Sequence, residues 1–179
     1  MDSSLKLLQR VPGALIESEI QDFAAMVRAG GEVASAVLEQ NVRNAESLLT
    51  VHRGECLVAV GALKKPIATY RKLIEDKSGV TLDPGNFPFE LGYIFVQPTA
   101  RKQGLATELT RLALNERDHI GIFATVRVAN DPMTNILLAG GFKAHGQPYA
   151  SGRGTYNLQL FLRPARCDLA AASGNSAGL

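Results

Sequence analysis

The stretch RKQGLATELTRLAL, residues 101–114, places two cations and a glycine directly before an apolar pattern of helical period. The first N–H groups of a helix have no partner inside the helix, and the helix dipole leaves partial positive charge there. Arg101 and Lys102 therefore oppose the dipole unless an anion offsets them, while Gly104 lets a ligand approach the backbone. The stretch is typical either of an ordinary helix start with solvated basic residues or of a helix that binds phosphate groups.

Strand-like runs flank this helix, which the periodicity extends to about Arg117. Apolar runs at 90–98 and 121–130 predict two buried central strands, and 131–142 predicts a short helix. The other predicted elements are a strand at 4–11, a helix at 18–28 capped by Ser18, a helix at 33–45, a hairpin at 47–52 and 56–63, a short helix at 69–77, a loop at 81–89, and closing strands at 143–149 and 155–163. This order predicts an α/β (α+β) fold with a mixed sheet of about seven strands and helices on both faces.

Composition limits the function classes. The 179 residues predict one domain over residues 1–164 and a disordered small and polar tail over 165–179. Cys56 and Cys167 form no disulfide framework or metal motif, so we expect no metal, a cytoplasmic location and a core thiol at Cys56. The net charge of +2 makes a nucleic-acid partner unlikely, and no uncharged apolar run is long enough to predict a membrane span.

The helix start lacks the spacing of a Walker loop and of a dinucleotide fingerprint. Its RKQGLA, residues 101–106, resembles motif A of the GNAT superfamily (Gcn5-related N-acetyltransferases), written [Q/R]-x-x-G-x-[G/A]. The preceding YIFVQP, residues 93–98, resembles the central strand of that family, and NDPMTNILLAGGF, residues 130–142, resembles its asparagine-initiated helix. The resemblance covers residues 90–142 and implies the GNAT fold, with a sheet that splays apart at the acetyl-CoA site.

The resemblance also implies which residues hold acetyl-CoA, the expected cosubstrate. Arg101 and Lys102 would lie near its phosphates, and Asn130 would contact the pantetheine arm. The strand residues Ile94 and Val96 would bind that arm or the acetyl carbonyl through their backbones. The pyrophosphate would be bound by the backbone N–H groups of Gln103, Gly104, Leu105, Ala106 and Thr107.

Glu90 is the candidate general base, because some members of the family carry a catalytic glutamate at this distance before motif A. An attacking amine must be neutral, and a carboxylate can accept its proton directly or through water. In a regular strand Glu90, Gly92 and Ile94 would share one face, and a bulge would decide whether that face meets the substrate. The alternative is a solvated charge at the start of a strand.

The general acid is less well indicated. Many family members carry a tyrosine seven positions after the helix-starting asparagine, and Leu137 stands there in this chain. Tyr93 is the predicted donor. The alternatives are water and four other polar side chains, Tyr149, Tyr156, Thr134 and Asn135. Without the tyrosine, the protein either relies on placement and solvent or binds CoA without efficient transfer.

The resemblance implies an N-acetyltransferase in which a primary amine attacks acetyl-CoA directly in a ternary complex. The acceptor would be a small molecule or a peptide or protein amine, bound by the loop 81–89, the early helices and the last hairpin. Two alternatives stay open, a non-catalytic acyl-CoA-binding or sensor module and a toxin that acetylates aminoacyl-tRNA. The net charge of +2 does not favour the toxin. Dimers are common in the family, so a homodimer is compatible with the resemblance.

Overall fold

The computed structural model describes residues 4–31 and 37–166. Its strands form one mixed sheet in the order β1-β2-β3-β4-β5-β7-β6, in which β4 and β5 are parallel and every other neighbouring pair is antiparallel. The strands are β1 (Leu5–Arg10), β2 (Ser47–Arg53), β3 (Cys56–Lys64), β4 (Phe89–Val96), β5 (Ile122–Arg127), β6 (Lys143–Ala150) and β7 (Asn157–Arg163). The predicted mixed sheet of about seven strands is confirmed.

Helices cover both faces of this sheet, also as predicted. They are α1 (Glu17–Ala29), α2 (Leu38–Arg43), α3 (Ala68–Ser78), α4 (Leu105–Leu114) and α5 (Asp131–Ala139). We call the side covered by α4 and α5 the cofactor face and the side covered by α1, α2 and α3 the acceptor face, after the roles that the resemblance implies. The predicted helix at 33–45 falls partly on residues outside the described ranges, as do Cys167 and most of the predicted tail.

Three sequence expectations need correction. Ser18 is not the N-cap of α1, because the helix begins at Glu17 and the carboxylate of Glu19 accepts a hydrogen bond of 3.0 Å from the N–H of Ile16. Helix α4 stops at Leu114, before the expected Arg117, because the backbone becomes extended at the next residue. Cys56 is exposed rather than buried, since it begins β3 beside the hairpin turn.

Apolar side chains form one cluster on the cofactor face and two on the acceptor face. The cofactor-face cluster joins α4 and α5 to the central strands through buried residues such as Leu105 and Leu137. On the acceptor face, one cluster surrounds Phe23 of α1 and the other joins Ile74 of α3 to Phe123 of β5.

The two acceptor-face clusters are separate, and Lys64 lies between them, since its Nζ faces the ring of Tyr93 beside one cluster and that of Tyr70 beside the other. We call this polar region between the clusters the gap on the acceptor face.

Strands β4 and β5 separate after a short contact. They pair only at Phe89 with Ile122 and at Glu90 with Phe123, whereas β5 continues to pair with β7 along its whole length. The register of β4 against β3 also shifts around Gly61, so that one extra residue of β4 is accommodated as a bulge. The predicted splay in the sheet is therefore confirmed.

The bulge changes which side chains share a face. Tyr93 has a φ of 57°, an unusual backbone conformation for a tyrosine. Its side chain packs against the α1 cluster on the acceptor face, whereas Ile94 packs on the cofactor face. The condition of a regular strand is not met, and Glu90 and Ile94 lie on opposite faces. Among the described residues, no helix has the length and apolar character that crossing a membrane requires.

Gly121 fixes the loop 80–88 beside the point where β4 meets β5. An ideal Cβ atom on Gly121 would lie 2.0 Å from the carbonyl oxygen of Asn86. We expect Gly121→Ala to lower the free energy of unfolding by about 2 kcal/mol, because backbone has to move to relieve the clash. Urea denaturation would measure the change.

Gly152→Ala is the matched control, because a Cβ atom there meets nothing within 4 Å. It should change the free energy of unfolding by less than about 0.5 kcal/mol. Equal effects of the two substitutions would show that the contact between Gly121 and Asn86 does not constrain the loop.

Candidate active site

The N-terminus of α4 presents free backbone donors. Gly104 precedes the helix with a φ of 76°, and no side chain caps it. Within the described ranges, the N–H groups of residues 103–107 donate no hydrogen bond, and the first backbone bond of the helix runs from Glu108 to Gly104. An ideal Cβ atom on Gly104 would meet nothing within 4 Å, so the space beside these donors is open.

Cationic side chains surround this helix start. Arg101 donates from Nε to the carbonyl oxygen of Val96 at 3.2 Å, and Arg53 donates from Nη2 to Oε1 of Gln103 at 2.5 Å. Lys102 is exposed and has a φ of 62°. No carboxylate in the part of the chain that the structure describes forms an ion pair with any of these three cations. The free donors, the helix dipole and the cations together form a site suited to phosphate groups.

Arg53 is the member of this group that sequence reasoning missed. It ends β2, about fifty positions before motif A in the sequence. The antiparallel order of β2, β3 and β4 brings the β2–β3 turn to the end of β4, where Val58 of β3 accepts a backbone hydrogen bond from Gln97. Nothing in the local sequence around Arg53 indicates this position, since it follows from strand order alone.

The other predicted cofactor residues border the splay. Val96 ends β4, and Asn130 follows the parallel strand β5, so both lie at the open end of the splay. Asn130 begins α5, and its Oδ1 accepts a hydrogen bond of 3.2 Å from the N–H of Met133. Beyond Glu90, the edge of β4 that faces β5 has no ladder partner. Their roles toward acetyl-CoA stay predictions.

Glu90 lies at the closed end of the splay, in the gap on the acceptor face. Its residue surface is 2% exposed, so the alternative of a solvated charge is wrong. Oε2 lies 2.6 Å from Nζ of Lys64, and Oε1 accepts hydrogen bonds from the hydroxyl groups of Tyr70 at 3.1 Å and Thr125 at 3.2 Å. The sequence did not connect these three partners with Glu90, because they come from β3, α3 and β5, and it indicated Lys64 only as a solvated charge before the central strand.

Lys64 also faces aromatic rings. Its Nζ lies 4.9 Å from the ring centroid of Tyr93 and 5.5 Å from that of Tyr70. Both distances fall within the range of a cation–π interaction. Buried Glu90 and partly buried Lys64 thus form an ion pair with two hydroxyl donors at Oε1 and two ring faces beside Nζ, while Oε2 accepts no hydrogen bond from the described residues.

Burial, followed by the negative charge of Glu90, raises the pKa values of the tyrosines in this gap. The pKa of Tyr93 is raised to about 12, that of Tyr70 well above its ordinary value, and that of Tyr149 also upward. These phenols are therefore protonated at neutral pH, as a proton donor has to be. Of these three tyrosines, only Tyr93 belongs to β4, the strand that borders the splay, and it lies in the bulge of that strand.

The position of the missing tyrosine is part of the core. Leu137 is fully buried in the cofactor-face cluster, with no polar atom to offer. The ring of Tyr156 lies 3.8 Å from the guanidinium of Arg127. Thr134 and Asn135 lie on α5, and no contact in the described residues joins them to Glu90. The described residues also contain no group of three or more His, Cys, Asp or Glu side chains arranged to hold a metal.

Solved structures with this architecture come from several organisms. An acetyltransferase assigned to the GNAT family from Desulfovibrio desulfuricans superposes with a TM-score of 0.62 at 12% identity, over 91% of this chain and 100% of that chain. The chain adopts the GNAT fold. No protein-family model and no curated protein sequence matches the chain.

Two further structures share the GNAT fold. An acyl-CoA N-acyltransferase from Pseudomonas aeruginosa has a TM-score of 0.65 and 16% identity, with coverage of 89% of this chain and 99% of that chain. NAA60 of Arabidopsis thaliana, solved in complex with a bisubstrate analogue, has a TM-score of 0.63 and 18% identity, with coverage of 89% and 98%. At these identities the similarity establishes the fold.

The ion pair between Lys64 and Glu90 predicts a stability effect. Lys64→Met should lower the free energy of unfolding by about 3 kcal/mol, because the Glu90 side chain, 3% exposed, loses its counter-ion. The double variant Lys64→Met/Glu90→Gln should be more stable than Lys64→Met alone, because it carries no unpaired buried charge. Denaturant titration of the variants would measure both changes.

Lys65→Met is the matched control. Lys65 follows Lys64 in the chain and pairs with Glu46 at 2.9 Å, but its side chain is 55% exposed. Its loss should cost less than about 1 kcal/mol. A double variant that is less stable than Lys64→Met would contradict the account of an uncompensated charge.

The raised tyrosine pKa values predict a loss of stability at high pH. In the unfolded chain, phenols ionise near pH 10, whereas Tyr93 in the folded chain ionises at about 12. Between these values the unfolded state has lost a proton that the folded state retains, so the free energy of unfolding falls as the pH rises above about 10. Denaturant titrations at about pH 8 and about pH 11 should show this fall, and Tyr93→Phe should reduce it. Absorbance titration in which all four tyrosines ionise together near pH 10 would contradict the prediction.

Proposed function

We propose that the protein is an acetyl-CoA-dependent N-acetyltransferase that acts on a primary amine. The observation that carries the proposal is the row of unpartnered N–H groups at residues 103–107, with Arg53, Arg101 and Lys102 around it, at the open end of a splay in the sheet. A helix N-terminus with free donors and surrounding cations binds phosphate groups. The splay supplies an unpaired strand edge along which an extended acyl arm can run.

The residues present fit this cosubstrate. The backbone from Gln103 to Thr107 would bind the pyrophosphate in the open space beside Gly104, and the three cations would neutralise its charge. Ile94 and Val96 would offer backbone groups of β4 to the pantetheine arm. Asn130 would contact that arm from the end of β5, with its amide nitrogen free to donate because Oδ1 is used by the helix. Acetyl-CoA supplies an activated acetyl thioester.

Glu90 and Tyr93 would perform the proton transfers from the acceptor face. A neutral amine attacks in a ternary complex, Glu90 or a water beside it accepts the amine proton, and backbone N–H groups near the bulge stabilise the developing oxyanion. Tyr93 has the protonated phenol that a leaving thiolate needs. The amine would approach from the acceptor face, between the two apolar clusters there, where Lys64 now pairs with Glu90.

A small-molecule or peptide amine is the acceptor class that fits this gap. Tyrosine hydroxyl groups and the Lys64–Glu90 pair line it, so its charged groups balance one another. A tRNA acceptor would need a concentrated basic surface, whereas the whole chain has a net charge of +2.

A second candidate function is a non-catalytic acyl-CoA-binding module. Two observations favour it. Leu137 is buried where the family often has a tyrosine, and Glu90 is already paired with Lys64. Binding and turnover have to be measured separately to decide between these functions.

The cofactor site is tested by titration calorimetry with acetyl-CoA. We expect saturable binding by the unmodified protein and a dissociation constant at least about tenfold larger for Arg101→Glu, because one charge-assisted contact is replaced by repulsion. Arg111→Glu is the matched control, since Arg111 is an exposed cation on the same helix that pairs with Glu108. It should leave the affinity for acetyl-CoA almost unchanged.

Absence of any affinity for acetyl-CoA would overturn both functions. Release of CoA in the presence of a panel of primary amines then separates them. Turnover that falls on Glu90→Gln supports the transferase with Glu90 as base, and turnover that ignores Glu90→Gln removes Glu90 from that role. Tight binding with no turnover for any amine would assign the protein to the binding module.

A further inference from the structure

The side chain of Lys64 places a primary amine beside the candidate base. Nζ lies 2.6 Å from Oε2 of Glu90 and faces the rings of Tyr93 and Tyr70. A carboxylate and aromatic faces around a cation are features with which proteins bind ammonium groups. An amine substrate would need a site of this kind, and in this chain the side chain of Lys64 occupies it.

Lys64 also lies where β4 and β5 begin to separate. An ideal Cβ atom on Gly92 would be 2.7 Å from Cε and 3.1 Å from Nζ of Lys64, so the end of the lysine side chain runs over the backbone of β4. The last pair between β4 and β5 is Glu90 with Phe123, two positions earlier, and the bulge at Tyr93 follows directly. The amine, the base candidate and the closed end of the splay therefore occupy one place.

Access to this place is restricted but present. The side chain of Lys64 is 18% exposed, whereas those of Lys65 and Lys72 are 55% and 68% exposed. Lys64 and Glu90 are also direct partners in the ladder between β3 and β4, so a purely structural ion pair is the competing explanation. The two explanations differ in whether Nζ reacts.

We propose that Lys64 is an acetylation site of the protein itself, with acyl-CoA as the donor bound in the splay. The inference rests on the proposed function, because the donor has to occupy that site. Lys64 first gives one proton to Glu90 or a water beside it. Neutral Nζ then attacks the thioester carbonyl carbon, the C–N bond forms, the C–S bond breaks, and the electron pair leaves on the CoA sulfur. The second proton of the amine passes to that sulfur, so the products are N-acetyl-lysine, CoA and one released proton.

The reaction would change the charge of the gap on the acceptor face. Acetylated Lys64 carries no positive charge, so Glu90 would no longer have a counter-ion. The same carboxylate would then be free to accept a proton from an external amine. Self-acetylation would thus remove the charge of Lys64 from the gap and leave Glu90 available for the role proposed for it.

The test uses the full-length protein and acetyl-CoA without any amine acceptor. Peptide mass spectrometry over a time course should show acetylation at Lys64 before Lys65 and Lys72. That order is opposite to the exposure of the three side chains and so opposite to uncatalysed chemical acetylation. The rate constant should be independent of protein concentration, because donor and acceptor belong to one molecule. Arg101→Glu should lose the preference for Lys64, and Arg111→Glu should keep it.

Controls separate this inference from the proposed function. Lys65→Arg should leave labelling at Lys64 unchanged, and Lys64→Arg should abolish the early product while retaining the positive charge beside Glu90. Acetylation of Lys65 and Lys72 with Lys64 unmodified, in protein that binds acetyl-CoA, would overturn the inference and leave the proposed function standing. Labelling of Lys64 that persists unchanged in Arg101→Glu would also overturn it, since the donor would then come from bulk solvent. Absence of acetyl-CoA binding would overturn both.

Discussion

The separation of β4 from β5 after two residue pairs is the constraint on which the rest of the site depends. A parallel pair inside a sheet normally satisfies the backbone of both strands along their length. Here β5 keeps its ladder with β7, and β4 keeps its ladder with β3, so the sheet stays continuous while an edge opens within it. Because α4 is the next α-helix after β4, reached through the short turn at Pro98–Ala100, the free donors at its first turn lie at the open end of the splay. The bulge at Tyr93 then directs neighbouring side chains of β4 to opposite faces, which separates a cofactor side from an acceptor side.

At the closed end of the splay, a carboxylate is buried, which costs free energy of solvation. Glu90 tolerates burial because Lys64, Tyr70 and Thr125 supply a counter-ion and two hydroxyl donors. Nearby, Arg71 is buried as well and donates to the carbonyl oxygens of Phe87 and Pro88 at 2.7 Å each. These contacts tie α3 and the loop before β4 to the strand. The acceptor face is therefore held by polar groups as well as by apolar packing.

The sequence predicted the parts of the molecule that depend on local pattern. The strands and helices could be predicted because apolar periodicity, glycines and prolines mark them, and the start of α4 is marked by two cations before a helix. The splay was expected only from the resemblance of residues 90–142 to the GNAT superfamily. Contacts between distant segments could not be predicted. Arg53 reaches Gln103 through strand order, and Lys64 reaches Glu90 through the register of β3 against β4. The exposure of Cys56 was missed because alternation in a strand does not show where the strand leaves the core. The face on which Ile94 lies depends on the bulge at Tyr93, and no residue in the sequence of β4 indicates that bulge.

The two sides of the splay also differ in how much sequence change they permit. The phosphate binding proposed for α4 would use backbone N–H groups, which nearly every residue provides, so the main demands are a glycine with positive φ and cations near the turn. The gap on the acceptor face is built from side chains, and each replacement there changes its chemistry. Leu137 illustrates the difference, since one residue removes a hydroxyl group and extends the core instead. The phenols around Glu90 instead come from β4, α3 and β6, which the fold brings together from distant parts of the chain.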